Sequence, residues 1–235
     1  KKTGADMTVA VKNMDLTSDK AKINVLYKSD DEGRVTDVLT YPSDFEGNAD
    51  ISLNIVVMKT EYLRQIVLDA TAHNYTSLTR DIIARNMKHK NFRVYRYDGY
   101  FACISSFEDY YANSMELLTN SEARASLFGV RNRPIYTKVR NSNPSYYSTG
   151  SVVKNSLIAD GCYIEGTVEN SIIFRGAKIG KNATIRNSII MQDTVVGDGA
   201  FLNCVITDKN AVISDGRMLC GAETQPFYVS KWKRI

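Results

Sequence analysis

A chain of 235 residues, 43% hydrophobic and 24% charged, has the composition of a folded globular protein with one large or two modest domains. Its formal net charge of +4 comes from scattered basic residues, which argues against nucleic-acid binding, and no apolar run is long enough to predict a membrane span. Four cysteines without a CxxC pair and two histidines argue against a zinc site and are typical of the cytoplasm, where we expect this protein.

The amino terminus is polar and lacks both an initiator Met and the apolar stretch of a signal peptide. A predicted strand begins almost at once. We therefore expect that the start of a longer protein is missing.

The first half of the chain predicts strands interleaved with helices, which is typical of an α/β layer structure. Apolar alternation or continuous apolar runs predict strands at residues 7–11, 23–27, 35–39, 51–58, 92–97 and 100–104. The continuous run at 51–58 is expected to be buried on both faces. Helical spacing of Tyr62, Leu63, Ile66, Val67 and Ala70 predicts one helix, and a second is predicted over about 79–87.

Ser105 and Glu108 have the spacing of a capping box, which predicts a further helix through Tyr111, Met115 and Leu118. The polar, turn-rich residues 121–149 then predict a linker. The expected organisation is an α/β domain at 1–120, a linker at 121–149 and a different fold at 150–235.

That different fold is indicated by four copies of one phrase, which lie 15, 17 and 16 residues apart. The copies are Asn155-Ser156-Leu157-Ile158, Asn170-Ser171-Ile172-Ile173, Asn187-Ser188-Ile189-Ile190 and Asn203-Cys204-Val205-Ile206. A fixed period of this kind predicts a chain that coils on itself, one turn per phrase. Stacked turns would place the four asparagines in a ladder of side-chain hydrogen bonds.

Aliphatic residues recur mostly at steps of six from Val152 to Val212, with Ile206 among them, which predicts a triangular coil with one aliphatic residue pointing inward on each side. A β-sandwich, the alternative, should alternate at period two. The corners are expected at residues that tolerate positive φ. These are Gly161, Gly166, Gly176, Gly180, Gly197, Gly199, Asn182 and Asp198.

Several phrases resemble bacterial glucose-1-phosphate adenylyltransferases. Residues 4–11 are similar to their GADxTVA strand, and residues 155–162, 166–171 and 188–192 resemble their hexapeptide-repeat domain. Residues 133–137 and 221–226 are similar to the glycogen-biosynthesis D-type subunit, a paralogue of the catalytic C-type subunit. The resemblance implies part of a doubly wound nucleotidyltransferase-like α/β domain, followed by a left-handed parallel β-helix of hexapeptide repeats.

The family makes ADP-glucose from ATP and glucose 1-phosphate with Mg²⁺, and it holds the nucleotide with a Gly-rich loop at its amino terminus. This sequence has no such loop, since its single G-x-G lies in a predicted corner of the coil at residues 197–199. The resemblance therefore implies that this chain by itself does not bind ATP in the family's manner.

The resemblance also implies an eroded sugar-phosphate site. Thr40 and Tyr41 replace the Glu-Lys pair that meets the sugar phosphate, Ser52 is kept from the glucose site, and the segment that holds the sugar has lost its first acid at Ser77. The same segment contains Arg80 and Asp81. These six residues are called the sugar-site positions below.

Cys103 occupies the position of the metal-binding Asp. Mg²⁺ prefers carboxylate oxygens, and each lost electrostatic contribution typically costs about 10²-fold or more in rate. We therefore expect a chain with no catalytic residues, no Mg²⁺ of its own and little or no activity, with Mg²⁺ held by a catalytic partner.

The leading hypothesis is a regulatory, non-catalytic subunit that pairs with a catalytic glucose-1-phosphate adenylyltransferase subunit, in a heterotetramer or as a homo-oligomer. The alternatives are a slow nucleotidyltransferase and a hexapeptide-repeat acyltransferase, although both histidines, His73 and His89, precede the coil. The candidates for binding a sugar-phosphate effector are Arg131, Arg133, Lys138 and Arg140. A solvated basic surface is the other interpretation of those four residues.

Overall fold

The computed structural model describes residues 3–136 and 141–235 and divides the chain into two compact units, Lys1–Gly99 and Tyr100–Ile235. The division falls well before the domain boundary predicted at residue 120. Within the described ranges, no helix is both long enough and apolar enough to cross a membrane. The effector candidates Lys138 and Arg140 lie outside the described residues.

The first unit is built on a five-stranded mixed sheet in the order β3-β2-β4-β1-β5. Strand β1 is antiparallel to β4 and parallel to β5, while β2 is antiparallel to both β3 and β4. The strands are β1 (Met7–Leu16), β2 (Val25–Ser29), β3 (Val35–Thr40), β4 (Gly47–Met58) and β5 (Phe92–Arg96).

Three helices and a π-helical segment accompany this sheet: α1 (Ser18–Ala21), α2 (Thr60–His73), the π-helical segment Leu78–Ile83 and α3 (Ala84–Asn86). The helix predicted from Tyr62 to Ala70 is present as α2, and the one predicted over about 79–87 is present as the π-helical segment followed by α3. Helix α2 buries Tyr62 and Ile66, one helical turn apart, in the core cluster of the sheet. Leu63 and Val67, which were predicted on the same stripe, are exposed.

The prediction that residues 51–58 are buried on both faces is wrong. Ile55 and Val57 are 60% and 69% exposed, whereas Val56 and Met58 pack against the core. The ladder with β1 also skips here, because Val9 pairs with Val56 but Val11 pairs with Ser52. The residues between Ser52 and Val56 form a bulge, which re-aims the strand. A continuous apolar run does not reveal that only one face is covered.

Two predictions around residue 105 also need correction. Residues 100–104 form no strand in the structure, and the helix cap lies one residue later than predicted. Ser106 Oγ accepts a hydrogen bond from Asp109 N at 3.1 Å, and Asp109 Oδ2 accepts one from Ser105 N at 3.1 Å. Ser106 thus caps the helix and Asp109 reaches back to Ser105, in the roles that were expected of Ser105 and Glu108.

The second unit begins with two helices, α4 (Phe107–Thr119) and α5 (Ser121–Phe128), so the predicted linker contains a helix. A parallel coil of three five-stranded sheets follows, which confirms the predicted fold class. Its strands are β6 (Tyr146–Tyr147), β7 (Val152–Lys154), β8 (Leu157–Ile158), β9 (Tyr163–Ile164), β10 (Thr167–Glu169), β11 (Ile172–Ile173), β12 (Lys178–Ile179), β13 (Thr184–Arg186), β14 (Ile189–Ile190), β15 (Val195–Val196), β16 (Phe201–Asn203), β17 (Val205–Thr207), β18 (Val212–Ile213), β19 (Met218–Cys220) and β20 (Phe227–Val229).

The core of the coil consists mainly of the predicted inward residues, which are nearly inaccessible to solvent: Ile164, Ile173, Ile179, Ile185, Ile190, Val196 and Leu202. At the two ends the prediction is wrong by one residue, because Val153 and Ile213 face the core in place of Val152 and Val212. Ile206 pairs with Ile189 on the outward column of its sheet, and Thr207 follows Ile190 inward.

The corners use their glycines in two ways. Gly161, Gly176 and Gly199 have positive φ, as predicted. Gly197 does not, and it is required for space, since a Cβ there would lie 2.6 Å from the backbone nitrogen of Asp215. Real Cβ atoms do not approach backbone that closely. Asp198 also lacks the positive φ predicted for it.

Candidate functional site

Helix α4 packs on the outer face of one side of the coil, within the second unit. Tyr111 forms a buried cluster with Ile189, Cys204 and Ile206. The Tyr111 hydroxyl donates a hydrogen bond to the backbone oxygen of Asn187 at 2.6 Å. Burial, with a smaller contribution from Cys204, raises the pKa of Tyr111 far above its ordinary value, so the phenol remains a hydrogen-bond donor. This contact between α4 and the coil explains why α4 belongs to the unit that contains the coil.

Two of the sugar-site positions lie at the end of β3. Thr40 pairs with Val25 across the β2–β3 ladder. Tyr41 follows with a left-handed φ of 54° and a side chain that is 60% exposed, while its N–H donates to the oxygen of Asn24 at 3.0 Å. The exposed side chain directly after β3 is therefore a phenol and not a cation.

Ser52 and Thr79 both lie near the buried phenol of Tyr27. Burial raises the pKa of Tyr27, and hydrogen bonding from Thr79 and Ser52 acts in the opposite direction. Thr79 belongs to the π-helical segment, which also lies against β3. The fold thus brings β3, Ser52 and the π-helical segment into one region of the first unit.

Ser77, Arg80 and Asp81 form a closed network at the start of the π-helical segment. Ser77 Oγ accepts from Arg80 N at 3.2 Å, and Asp81 Oδ2 accepts from the N–H groups of Thr76 and Ser77 at 3.1 and 3.0 Å. Arg80 Nε lies 3.3 Å from Asp81 Oδ1. Arg80 first, then the two N–H groups, lower the pKa of Asp81 to about 2. These contacts satisfy Asp81 without a ligand.

Sequence reasoning missed a polar cluster in the same unit. Asp50, which is 6% exposed, accepts from Arg96 Nε at 2.9 Å and from Asn13 Nδ2 at 3.0 Å. Arg96 Nη2 also donates to Ser29 Oγ at 2.9 Å, and the cluster lines a cleft of about 380 Å³. The sequence offers one signal for this cluster, since Asp50 lies directly before the apolar run of β4. A carboxylate that is buried with such a run needs hydrogen-bond or ion-pair partners.

The remaining predicted positions lie in the second unit. Cys103 is exposed, and its backbone oxygen accepts a hydrogen bond from Asn113 Nδ2 of α4 at 3.1 Å. Arg131 and Arg133 are exposed in a turn after α5. Within residues 3–136 and 141–235, no three His, Cys, Asp or Glu side chains come together as metal ligands would.

Comparison with known proteins gives similarities over both units. Residues 143–226 match the family described as "GlmU-like, C-terminal hexapeptide". The chain is 38% identical over 130 residues to the glycogen biosynthesis protein GlgD of Bacillus subtilis, covering 55% of this chain and 37% of that protein. It is 44% identical over 132 residues to GlgD of Geobacillus stearothermophilus, covering 56% and 38%.

A broader similarity is to the glucose-1-phosphate adenylyltransferase of Geobacillus stearothermophilus, with 27% identity over 182 residues, 76% of this chain and 46% of that protein. The chain spans less than half the length of each of these relatives. The resemblances predicted from the sequence, to the D-type subunit and to the adenylyltransferases, are confirmed.

Proposed function

We propose that this protein acts in glycogen biosynthesis, in the cytoplasm, as a regulatory and non-catalytic subunit related to glucose-1-phosphate adenylyltransferase. It would assemble with a catalytic subunit and adjust the rate at which that subunit makes ADP-glucose. The similarity to proteins named glycogen biosynthesis protein GlgD supports the pathway, and the similarity to glucose-1-phosphate adenylyltransferases supports the reaction.

The observation that carries the non-catalytic role is the chemistry at Tyr41 and Cys103. Phosphoryl and nucleotidyl transfer depends on cations and metal ions that neutralise charge on the phosphates. An exposed phenol at Tyr41 supplies no cation, and a thiol at Cys103 is a poor ligand for Mg²⁺, which prefers carboxylate oxygens. The residues present at these positions therefore do not fit the family's metal and sugar phosphate.

The acyltransferase alternative has one supporting observation, the match of residues 143–226 to a hexapeptide family. The acyltransferases with such a coil use a histidine of the coil as their base. His73 ends α2 and His89 follows α3, so neither histidine is part of the coil. We therefore favour the regulatory subunit.

The test compares three samples: this protein alone, a catalytic glucose-1-phosphate adenylyltransferase alone, and the two mixed. We expect no ADP-glucose from this protein alone, a mixed complex by size-exclusion chromatography with light scattering, and a changed kcat or effector affinity in the mixture. ADP-glucose formation by this protein at a rate comparable to the catalytic enzyme would refute the proposal.

A double substitution separates an inactive protein from a slow enzyme. If the protein is a slow nucleotidyltransferase, Tyr41→Lys with Cys103→Asp should increase a rate that is already measurable in the wild type. If the protein is non-catalytic, the wild-type rate is at background. The measurement is ADP-glucose formation with Mg²⁺ present, against a blank without glucose 1-phosphate.

We also propose that Arg131 and Arg133 contribute to binding an anionic sugar-phosphate effector, because both guanidinium groups are exposed and close in sequence. Arg131→Gln with Arg133→Gln should weaken the effector response of the mixed complex. Arg64→Gln with Arg217→Gln removes the same charge from exposed sites elsewhere and should not. An unchanged response in the first variant would exclude Arg131 and Arg133 as effector ligands.

A further inference from the structure

A small cavity in the first unit brings two basic side chains and a histidine together. It has a volume of about 260 Å³ and lies between α2, the π-helical segment and α3. The side chains that matter on its lining are Tyr62, His73, Tyr75, Asp81, Arg85 and Lys90. None of its lining residues belongs to the cleft at Asp50 and Arg96, and one of them, Asp81, is a sugar-site position.

The two cations of the lining, Arg85 and Lys90, each lie over an aromatic ring and are not paired with a carboxylate. Lys90 Nζ lies 5.2 Å from the ring centroid of Tyr62, and Arg85 Cζ lies 5.1 Å from that of Tyr75. Neither Lys90 nor Arg85 forms a salt bridge with any residue that the structure describes. A ring face orients a cation without neutralising its charge, so both remain available to an anion.

The acids around the cavity are largely engaged elsewhere. Asp81 is paired with Arg80 and accepts two backbone N–H groups, as described above. The hydrogen bond from Lys59 Nζ, at 2.8 Å, is the main cause that lowers the pKa of Asp6, and Lys90 adds a smaller contribution. Asp69, on the rim, is exposed. Among the described residues, two cations of the lining, Arg85 and Lys90, have no salt bridge, whereas Asp69 is the one carboxylate of the lining without one.

His73 adds a third polar group with a defined orientation. Its Nδ1 lies 2.9 Å from the backbone oxygen of Asp69, and since a carbonyl only accepts, Nδ1 carries the hydrogen. With Nδ1 donating, Nε2 of the neutral ring is an acceptor, which suits a hydroxyl group of a ligand and not a phosphate oxygen. The imidazole also stacks on Tyr75, with ring centroids 5.2 Å apart and planes 17° apart. Histidine, tyrosine and arginine thus form one layered wall.

We propose that this cavity binds a phosphate dianion, either as inorganic phosphate or as the phosphate group of a small sugar phosphate. Arg85 and Lys90 would pair with the phosphate oxygens, and charge-assisted hydrogen bonds of this kind are the strong ones. Tyr75 and His73 would lie against the remainder of the ligand. The volume is below that of a typical drug-sized pocket, which restricts the ligand to about one sugar ring. The proposal does not depend on the regulatory role.

The first experiment is isothermal titration calorimetry on the 235-residue chain at low ionic strength, with inorganic phosphate, glucose 1-phosphate and glucose as probes. We expect both phosphate probes to bind and glucose not to bind. A tighter Kd for glucose 1-phosphate would identify a sugar phosphate as the ligand, and equal Kd values would identify the phosphate alone. No binding of either phosphate probe at millimolar concentration overturns the proposal.

Matched variants locate the site. Arg85→Gln with Lys90→Gln should weaken phosphate binding by about tenfold or more, because two charge-assisted contacts are lost. Arg64→Gln with Lys88→Gln removes the same charge from exposed positions on and next to the same helices, and it should leave Kd within about twofold. Equal weakening in both variants would show a general charge effect and overturn the assignment to the cavity.

A second measurement needs no variant and so does not depend on folding of a mutant. The chain has two histidines, and His73 lines the cavity whereas His89 does not. Phosphate titration followed by NMR should shift the ring resonances of His73 and leave those of His89 nearly unchanged. Equal shifts of both histidines, or none at His73, would refute the proposal.

Discussion

Asp50 and Asp81 are the buried carboxylates among the described residues, and each accepts hydrogen bonds from several donors. Asp50 has Arg96 and Asn13, and Asp81 has Arg80 with two backbone N–H groups. Burial of a charge is tolerated only with such partners. The contacts of Asp81 lie within its own segment, so this carboxylate has a structural role that needs no ligand.

The lowered pKa of Asp81 predicts a specific pH dependence of stability. The pKa of Asp81 in the folded protein, about 2, is below its ordinary value. Its contribution to folding stability is therefore complete above about pH 4 and is lost as the pH falls through about 2. Asp81→Asn should therefore lower the urea midpoint near pH 7. The difference from the wild type should shrink between about pH 4 and pH 2.

Asp31→Asn is the matched control, because Asp31 is exposed and its carboxylate has no hydrogen bond or salt bridge with a described residue. Its urea midpoint should stay close to that of the wild type throughout. A pH-independent difference for Asp81→Asn would show that lost charge is not the cause.

Within the coil, the repeated phrase performs two structural tasks, of which the sequence predicted one. Asn155 Nδ2 donates to Asn170 Oδ1 at 2.8 Å, and Asn187 Nδ2 donates to Asn203 Oδ1 at 3.0 Å, so the asparagine ladder forms as two pairs. The fourth phrase is displaced by one position, since Asn203 pairs with Arg186 and Cys204 takes the left-handed φ of 54°.

The serines form the more continuous ladder. Ser156, Ser171 and Ser188 each accept a hydrogen bond at 3.1 Å from a backbone N–H of the next turn, the last from Val205. Each hydroxyl also donates to the carbonyl oxygen two residues earlier in the chain. Serine therefore supplies both a donor and an acceptor where the coil changes direction.

Replacing a serine of this ladder should lower the free energy of unfolding more where the site is buried. Ser188→Ala leaves the N–H of Val205 without its partner in a fully buried site, which should cost about 1–3 kcal/mol in the free energy of unfolding. Ser156→Ala removes the same two bonds at a partly exposed position and should cost less. Urea unfolding of both variants checks this, and an equal loss in both would refute it.

At the scale of the whole molecule, the division at Gly99 assigns α4 to the unit that contains the coil. The physical reason is the outward column Leu157, Ile172, Ile189, Ile206 and Tyr228 on one side of the coil. Ile189 and Ile206 are inaccessible to solvent in the cluster with Tyr111, whereas Leu157 and Tyr228 are partly exposed. The helix thus covers the middle of an apolar stripe.

Truncation tests this assignment. A fragment of residues 100–235 should unfold cooperatively, whereas residues 150–235 alone would expose Ile189 and Ile206, with a loss of about 3–6 kcal/mol if both become fully exposed. Circular dichroism melting and dye binding to exposed apolar surface are the measurements. Ile189→Ser with Ile206→Ser in the shorter fragment should reduce the dye binding. Equal stability of the two fragments would contradict the role of α4.

The sequence by itself determined the coil, its turns, most of its inward residues and the helices over 60–73 and 107–119. It could do so because six-residue and 3.6-residue periods are local properties that one stretch of chain displays alone. The sequence also shows the identities of Thr40, Tyr41 and Cys103, on which the proposed non-catalytic role depends.

Only the tertiary structure decided which apolar surfaces are covered and which polar groups meet. Ile55 and Val57 share a run with Val56 but face away from the core, and Ile189 is outward yet buried because a helix distant in sequence lies over it. Asp50 meets Arg96, and Arg85 and Lys90 reach one cavity, through long-range contacts. Such contacts depend on chain topology, and a local pattern carries no information about its distant neighbours.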